Sequence, residues 1–282
     1  MDYRTRFVFH GNASAFGGRL VRPDDIVLES SGASSLPVTG GRCRGEVRGA
    51  QFGDVIAVGS ATTSIEGLFD NYAHAVEVSH GRLHQTALTA TTTATADVRD
   101  IGAGVKPRLT IKRIHAALKS ISPAGSGEPA IQLGDQSVVE GASIDGHGLI
   151  IELHTPMFQE HSTRSKLVAA ADNPKFVEKF GDAFFMKSKT AGGTGPARGR
   201  LLELRAGIYA TIVKRIRWDG APYPGAHIDQ HIVNVPEFGQ IFFGEILILR
   251  DARRLTMVRL GLGSPIGGDI AFAEVQDNGI WS

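Results

Sequence analysis

Pro236 to Leu260, PEFGQIFFGEILILRDARRLTMVRL, decides how the rest of the chain is read. Ile241 to Leu249 is too apolar for an exposed surface and too rich in Ile and Phe to favour a helix. Glu237, Phe238 and Gly239 mark its start. Asp251, Ala252 and Arg253 make a polar break of hairpin-loop length. Beyond it, Leu255, Met257 and Arg259 alternate with Thr256, Val258 and Leu260, the period of a half-buried strand. The expectation is two antiparallel strands folded back on each other. Glu245 lies inside the apolar strand and needs a partner, which Arg254 or Arg259 across the hairpin can supply.

Upstream, QFGDVIAVG (51–59) opens like EFGQIFFG (237–244), a recurring Phe-Gly device at the start of a strand. The two do not align without a shift, because Gly53 to Gly59 is six positions and Gly239 to Gly244 is five. Residues 4–9, Ala13 to Val21 with a bend at Gly17-Gly18, Ile26 to Glu29, Tyr72 to Val78 and His84 to Val98 also read as strands. In the last of these Ala90, Thr92, Ala94 and Ala96 share one face. Thr89, Thr91, Thr93 and Thr95 share the other, a ladder suited to an exposed sheet face. Val138 to Ala142 and Leu149 to Leu153 flank an Asp145-Gly146 turn, and Ile208 to Trp218 is a further strand. Leu109 to Ile121 reads two ways: Ile114, Ala117, Leu118 and Ile121 keep helical spacing, while Thr110-Ile111 favours a strand. Ser30 to Gly41 and Ser122 to Pro129 are loops.

Residues 155–203 differ in kind. Asn173-Pro174 is a helix start, with Asn173 as cap and Pro174 in the first turn. Phe176, Phe180 and Phe184 follow at four-residue spacing, an aromatic stripe. A shorter helix is expected over Arg164 to Ala171, and AGGTGPARG (191–199) reads as a loop. The fold class is therefore mainly β, an antiparallel sandwich or barrel of many short strands with a helical insertion at about residues 160–190. Residues 1–282 read as a single domain, with 1–154 and 204–282 as two halves of one sandwich.

The composition agrees. A hydrophobic fraction of 42% and a charged fraction of 21% exclude wholesale disorder. Thirty-five Gly and twelve Pro, without a collagen-like period, imply many turns and hence many strands. A net charge of +1 supplies no global field towards nucleic acid or an anionic membrane. No window has the ~18 apolar residues of a membrane span, and Phe7-Val8-Phe9 is too short for a signal-peptide core, so a cytoplasmic location is expected. Cys43 is the single cysteine, which excludes an intramolecular disulfide and a cysteine-rich metal site.

The chemistry-bearing pattern is His227-Ile-Asp229-Gln-His231. On a strand, all three of its polar ligands point to one side, about 6.5–7 Å apart, where they can hold zinc or another transition metal, or act as an acid-base pair. The alternative is a solvated strand face. His80 and His84 share a face if their segment is extended. Glu245 is either a structural ion pair or a catalytic acid with a raised pKa. Gly141-Ala-Ser143-Ile-Asp145-Gly146 is one residue too long for a nucleophile elbow. Gly192-Gly-Thr-Gly195 lacks the Lys-Ser/Thr ending of a phosphate loop. Lys187, Lys189, Arg198, Arg200, Arg205, Lys214, Arg215 and Arg217 gather basic charge, the last two on a face with Tyr209. A solvated face fits the neutral balance better than nucleic acid does.

One further pattern lies in the C-terminal third: His231-Ile-Val-Asn-Val-Pro236, Phe238-Gly239, Glu245, Leu255 to Leu260, then Gly268-Asp-Ile-Ala271. With the Ala/Thr run Thr89 to Val98, the strand near 110–117 and Ala13 to Gly18, it resembles the choice-of-anchor P family of bacterial surface proteins. The resemblance implies a β-sandwich-like body displayed outside the cell, with no catalytic residues to carry over. Two departures from that family are expected: no export signal is read in the sequence as written, so a place outside the cell requires that one was removed, and the helical block has no counterpart. Together these readings point to a non-enzymatic protein that binds a partner or small molecule or assembles with copies of itself. The alternative is an enzyme using His227, Asp229, His231 and Glu245, with or without metal, in a pocket between the sheet and the helices.

Overall fold

The computed structural model describes residues 7–70, 77–79, 82–84, 88–124, 128–134, 136–171, 173–180 and 207–281. The expected residues 4–6, 72–76, His80 and Phe184, the expected 191–199 loop, and Lys187, Lys189, Arg198, Arg200 and Arg205 lie outside them. Strand makes up 65% and helix 8%, and the sheets do not close into a barrel, so the sandwich is the architecture.

Numbered along the chain, the early strands are β1 (Phe7–Val8), β2 (Gly11–Arg22), β3 (Ile26–Ser31), β4 (Ser34–Ser35), β5 (Gly41–Phe52), β6 (Ile56–Asp70), β7 (Glu77–Ser79) and β8 (Arg82–His84). Next come β9 (Thr89–Ala103), β10 (Leu109–Pro123), β11 (Ala130–Leu133), β12 (Val138–Glu140), β13 (Ala142–Ile144) and β14 (His147–Leu153). Three helices follow, α1 (Pro156–Glu160), α2 (Arg164–Ala171) and α3 (Pro174–Phe180). The chain returns as β15 (Ile208–Thr211), β16 (Val213–Asp219), β17 (His227–Asp229), β18 (Ile232–Val235), β19 (Gly239–Ile248), β20 (Arg253–Leu262), β21 (Gly267–Asp277) and β22 (Ile280–Trp281).

Sheet I runs β16-β14-β13-β10-β9-β6-β5, with β11 and β12 also on β10. Sheet II runs β17-β18-β19-β20-β21-β2-β3, with β15 on β19 and β4 on β2. The sheets pack face to face, β9 and β10 against β20 and β21, and β2 over β6 and β9. Ile65, Ala94, Ala96, Val98, Ile114 and Leu118 of sheet I are buried there with Phe16, Leu255, Val258, Leu260, Phe272 and Val275 of sheet II. Each large apolar side chain so buried contributes about 1.5–3 kcal/mol, which makes this interface the main stabilising element. Two buried charged residues join it: Arg253, wholly buried, and its cross-strand partner Asp277. Arg253 Nη2 donates to the carbonyl of Pro129 at 3.1 Å.

Both sheets carry a crease. In β19, Ile241 and Phe243 point inward, but beyond Gly244 the inward residues are Ile246 and Ile248. The alternation slips by one without changing register, since Phe243 still faces Val258 and Glu245 faces Thr256. The same slip falls at Met257 in β20 and at Ala273 in β21. In β2 it falls at Ala15. In sheet I the line runs through Gly49, Gly59, Asp100, Lys112 and Gly141. Alternate members have left-handed φ: Gly49 64°, Asp100 54°, Gly141 63°, Gly244 61° and Ala273 52°.

These creases correct several expectations. Arg259 does not share the face of Leu255: Met257 is still buried, but Val258 and Leu260 take over the inner side after the slip, leaving Arg259 outward. Leu109 to Ile121 is strand throughout, within β10. The Thr ladder of β9 is half-buried rather than exposed, with Thr91 at 9%. Ile208 to Trp218 is two strands in different sheets, β15 on β19 and β16 on β14. Tyr209 is therefore not on a face with Arg215 and Arg217. The chain crosses at Ile212, whose N–H donates to Gly244 and whose carbonyl accepts from His154 N, at 2.9 and 2.7 Å. Gly11-Asn12 begins β2, and Ser34–Ser35 forms β4 within the expected loop. Phe52 ends β5 whereas Phe238 lies inside the three-residue turn before β19, so the two Phe-Gly pairs are not equivalent positions.

The helical block agrees in its main feature. Asn173 Oδ1 accepts from the N–H of Lys175 at 3.0 Å, capping α3. The rings of Phe176 and Phe180 meet at a tilt, 5.1 Å between centres, and pack on His161 and His154. The helix α1 had no signal beyond Pro156. Glu128 anchors the start of α2 by accepting from Ser165 N and Oγ at 2.9 and 2.7 Å. Asp145 and Gly146 form the expected turn, with φ of 46° and 87° at its centre.

Candidate functional site

The creases decide which polar side chains meet on the outer faces. Without the slip at Gly244, Glu245 would follow Ile241 and Phe243 inward. With it, Glu245 emerges beside Arg259, the partner expected across the hairpin. Arg259 donates to both carboxylate oxygens, Nε at 2.7 Å and Nη2 at 2.9 Å. The guanidinium lies 3.7 Å above the centre of the Phe242 ring, with Nη1 3.7 Å from Asp269. His231 Nε2 is 3.8 Å from Glu245. Arg254 turns instead to Glu274, 3.9 Å away.

Burial alone would push the Glu245 carboxyl up, but the polar contact of His231 and the hydrogen bonds and charge of Arg259 outweigh it and hold the pKa at about 2. That is the environment of a fixed acceptor rather than of a general acid, which requires a raised pKa. A catalytic acid at Glu245 would need the opposite shift.

The His227, Asp229, His231 set is not brought together. Gln230, with φ 57°, and His231 form the two-residue turn between β17 and β18, closed by the Asp229–Ile232 pair. The alternation needed to align all three breaks at Gln230. His227 and Asp229 stay exposed on β17, while His231 is 3% exposed and faces Glu245. Among the described residues no group of three or more His, Cys, Asp or Glu side chains converges as metal ligands do. The turn therefore keeps the three residues of the expected metal set apart.

A second cluster occupies the outer face of sheet I. Asp97 on β9 accepts from Arg99 Nε at 2.7 Å, from Arg113 Nε at 2.7 Å and from His115 Nδ1 at 3.2 Å. Burial works against the Asp97 charge, but the hydrogen bonds from Arg113 and Arg99 prevail and its pKa is lowered. Burial lowers the pKa of His115, and the neighbouring Asp97 does not offset it. The carboxylate only accepts, so it places the imidazole proton on Nδ1. His115 Nε2 is buried without a hydrogen-bond partner. Arg113 also reaches Glu140 at 3.7 Å.

Beside this cluster is an open depression of about 450 Å³ lined by Arg44, Thr62, Ser64, Thr95, Asp97, Arg99 and His115. A cleft of about 610 Å³ lies between β10, β11 and α1, with Thr93, Lys119, Gln132, Gln159 and Ser162 on its walls. A cleft between sheet and helices was expected, but His227, Asp229, His231 and Glu245 belong to the other sheet. Sequence reading missed the Asp97 cluster. Its signal was the pairs Asp97/Arg99 and Arg113/His115, each two apart, which become neighbours once 109–121 is a strand. Cys43 is a free, half-buried thiol on β5. No helix among the described residues is long and apolar enough to cross a membrane.

The fold and these clusters define a creased, two-sheet antiparallel β-sandwich bearing ion-paired polar sites on its outer faces. The chain belongs to a family described as a domain of unknown function (DUF8256), whose model matches residues 7–249. Neither the curated proteins nor the solved structures contain a match.

Proposed function

We propose that this is a non-enzymatic binding protein that takes its ligand on the outer face of sheet I. The observation that carries the reading is the 450 Å³ depression around Thr95, where hydroxyls of Thr62, Ser64 and Thr95 stand among guanidinium groups held in place by Asp97. Fixed ion pairs and hydroxyls on rigid central strands suit recognition, because little side-chain freedom is lost when a ligand binds. The surface-displayed role implied by the choice-of-anchor P resemblance is compatible with such a face and is part of the proposal.

An enzyme is the rival. Its best acid-base pair is His115–Asp97, but a base must reach the proton it abstracts, and His115 Nε2 is buried. A thermal-shift panel of acidic glycans, neutral glycans and acidic peptides tests the proposal. At least one class should raise the melting temperature, and Thr95→Trp, which fills the depression, should abolish that rise. Ser64→Arg serves as a second blocking variant should Thr95→Trp fold poorly. No shift with any class, or chemical conversion of a panel member, would overturn it.

A further inference from the structure

We infer that the two depressions on sheet I are one continuous trough for a linear acidic polysaccharide, an inference that rests on the binding reading above. Thr95 lines one depression and Ala117 the other, and the two are direct cross-strand partners. Thr93, Lys119 and Gln132 form the adjoining row, and Arg44, Ser64 and Thr95 the next. The trough thus crosses β11, β10, β9, β6 and β5. Four gaps of ~4.8 Å give it a span of roughly 19 Å, long for a single small molecule and suited to several units of a chain.

The charges select the ligand. Asp97 is neutralised by Arg99 and Arg113, and Glu66 by Arg42. Arg44 and Lys119, towards opposite ends of the trough, make no salt bridge among the described residues. The hydroxyls of Thr93, Thr95 and Ser64 between them, and the Gln132 amide beyond Lys119, match the hydroxyls of a sugar chain, and the two cations match its carboxylates. A peptide adding itself as a strand is disfavoured. β6, β9 and β10, the floor of the trough, are each paired on both sides, and only β5 and β11 at its ends have a free main-chain edge, so an added strand would lie beside the trough rather than in it.

Titration calorimetry with oligogalacturonides of defined length tests this, against neutral dextran oligomers and polyglutamate. Affinity should rise with length until the trough is filled, fall with added salt, and drop about fivefold in each of Arg44→Glu and Lys119→Glu. Dextran should not bind. Equal binding of galacturonate monomer and longer oligomers, equal binding of polyglutamate, or indifference to either charge reversal would overturn it. Absence of uronate binding, with another ligand still lost in Thr95→Trp, removes the polysaccharide and leaves the binding face. Loss of every Thr95-sensitive ligand removes both.

Discussion

Glu245 shows how a single slip in alternation changes what a carboxylate is for. An acid among Phe243, Ile246 and Ile248 reads as buried, and burial would make it a weak acid. The slip at Gly244 delivers it to Arg259, and its folded pKa falls from an ordinary 4.5 to about 2. The unfolded carboxyl titrates near the ordinary value. The pair's contribution is therefore complete above that pH and is lost as pH falls towards 2. The full shift corresponds to about 3 kcal/mol, and partial exposure of Arg259 reduces this to about 2 kcal/mol. Glu245→Gln should lose that amount at pH 7 and flatten the acid limb between about pH 5 and pH 2. Urea denaturation across that range measures it. A variant that remains as acid-sensitive as the parent would show that other carboxylates set the acid limb.

At the scale of elements, the hairpin β19–β20, the cap of α3 and the Asp145-Gly146 turn were legible because each depends on local chemistry: an apolar run, a side-chain acceptor, a dipeptide that tolerates positive φ. The creases were not, because a period-two reading assumes unbroken alternation, and Ala15, Lys112 and Met257 give no sign of a slip. The Asp97–His115 cluster stayed hidden for a related reason. Its partners are 18 residues apart and meet only through the β9–β10 register, which stays open while 109–121 reads as either helix or strand. The wholly buried Arg253 reads as part of a polar loop, since nothing local announces that an arginine opening a strand faces the core.

The crease itself can be tested by two alanines. Gly49 has φ 64° and open space for 4 Å around the point where a Cβ would lie. At Gly244, φ 61°, an added Cβ would sit 2.8 Å from Ile212 Cγ1. Gly49→Ala should cost about 1 kcal/mol, from the left-handed backbone alone. Gly244→Ala adds overpacking and should cost about 3 kcal/mol. Gly49→Asn, which tolerates that conformation, should recover most of the loss. Equal costs for the two alanines would mean that Ile212 moves aside freely.

At the scale of the molecule, the order of strands along the chain does not divide as the sequence suggests. Residues 1–154 and 204–282 read as two halves, yet β2 lies between β21 and β3 in sheet II, and β16, from the later half, joins β14 in sheet I. Ile212 ties the sheets at the crossing, fully buried and bonded through its backbone to Gly244 on one side and His154 on the other. A fragment of residues 1–154 would keep most of sheet I. It would also expose the inner face of β9 and β10 and leave β2 without β21. Residues 207–282 would have β21 as an open edge beside an uncovered apolar face, a pairing of features that promotes aggregation. Expressed separately, neither fragment should unfold cooperatively in urea, while the full chain shows a single transition by circular dichroism and tryptophan fluorescence. A cooperative transition from 1–154 alone would establish sheet I as an independently stable unit. The Ile212 crossing would then be a tether between two domains rather than part of one shared core.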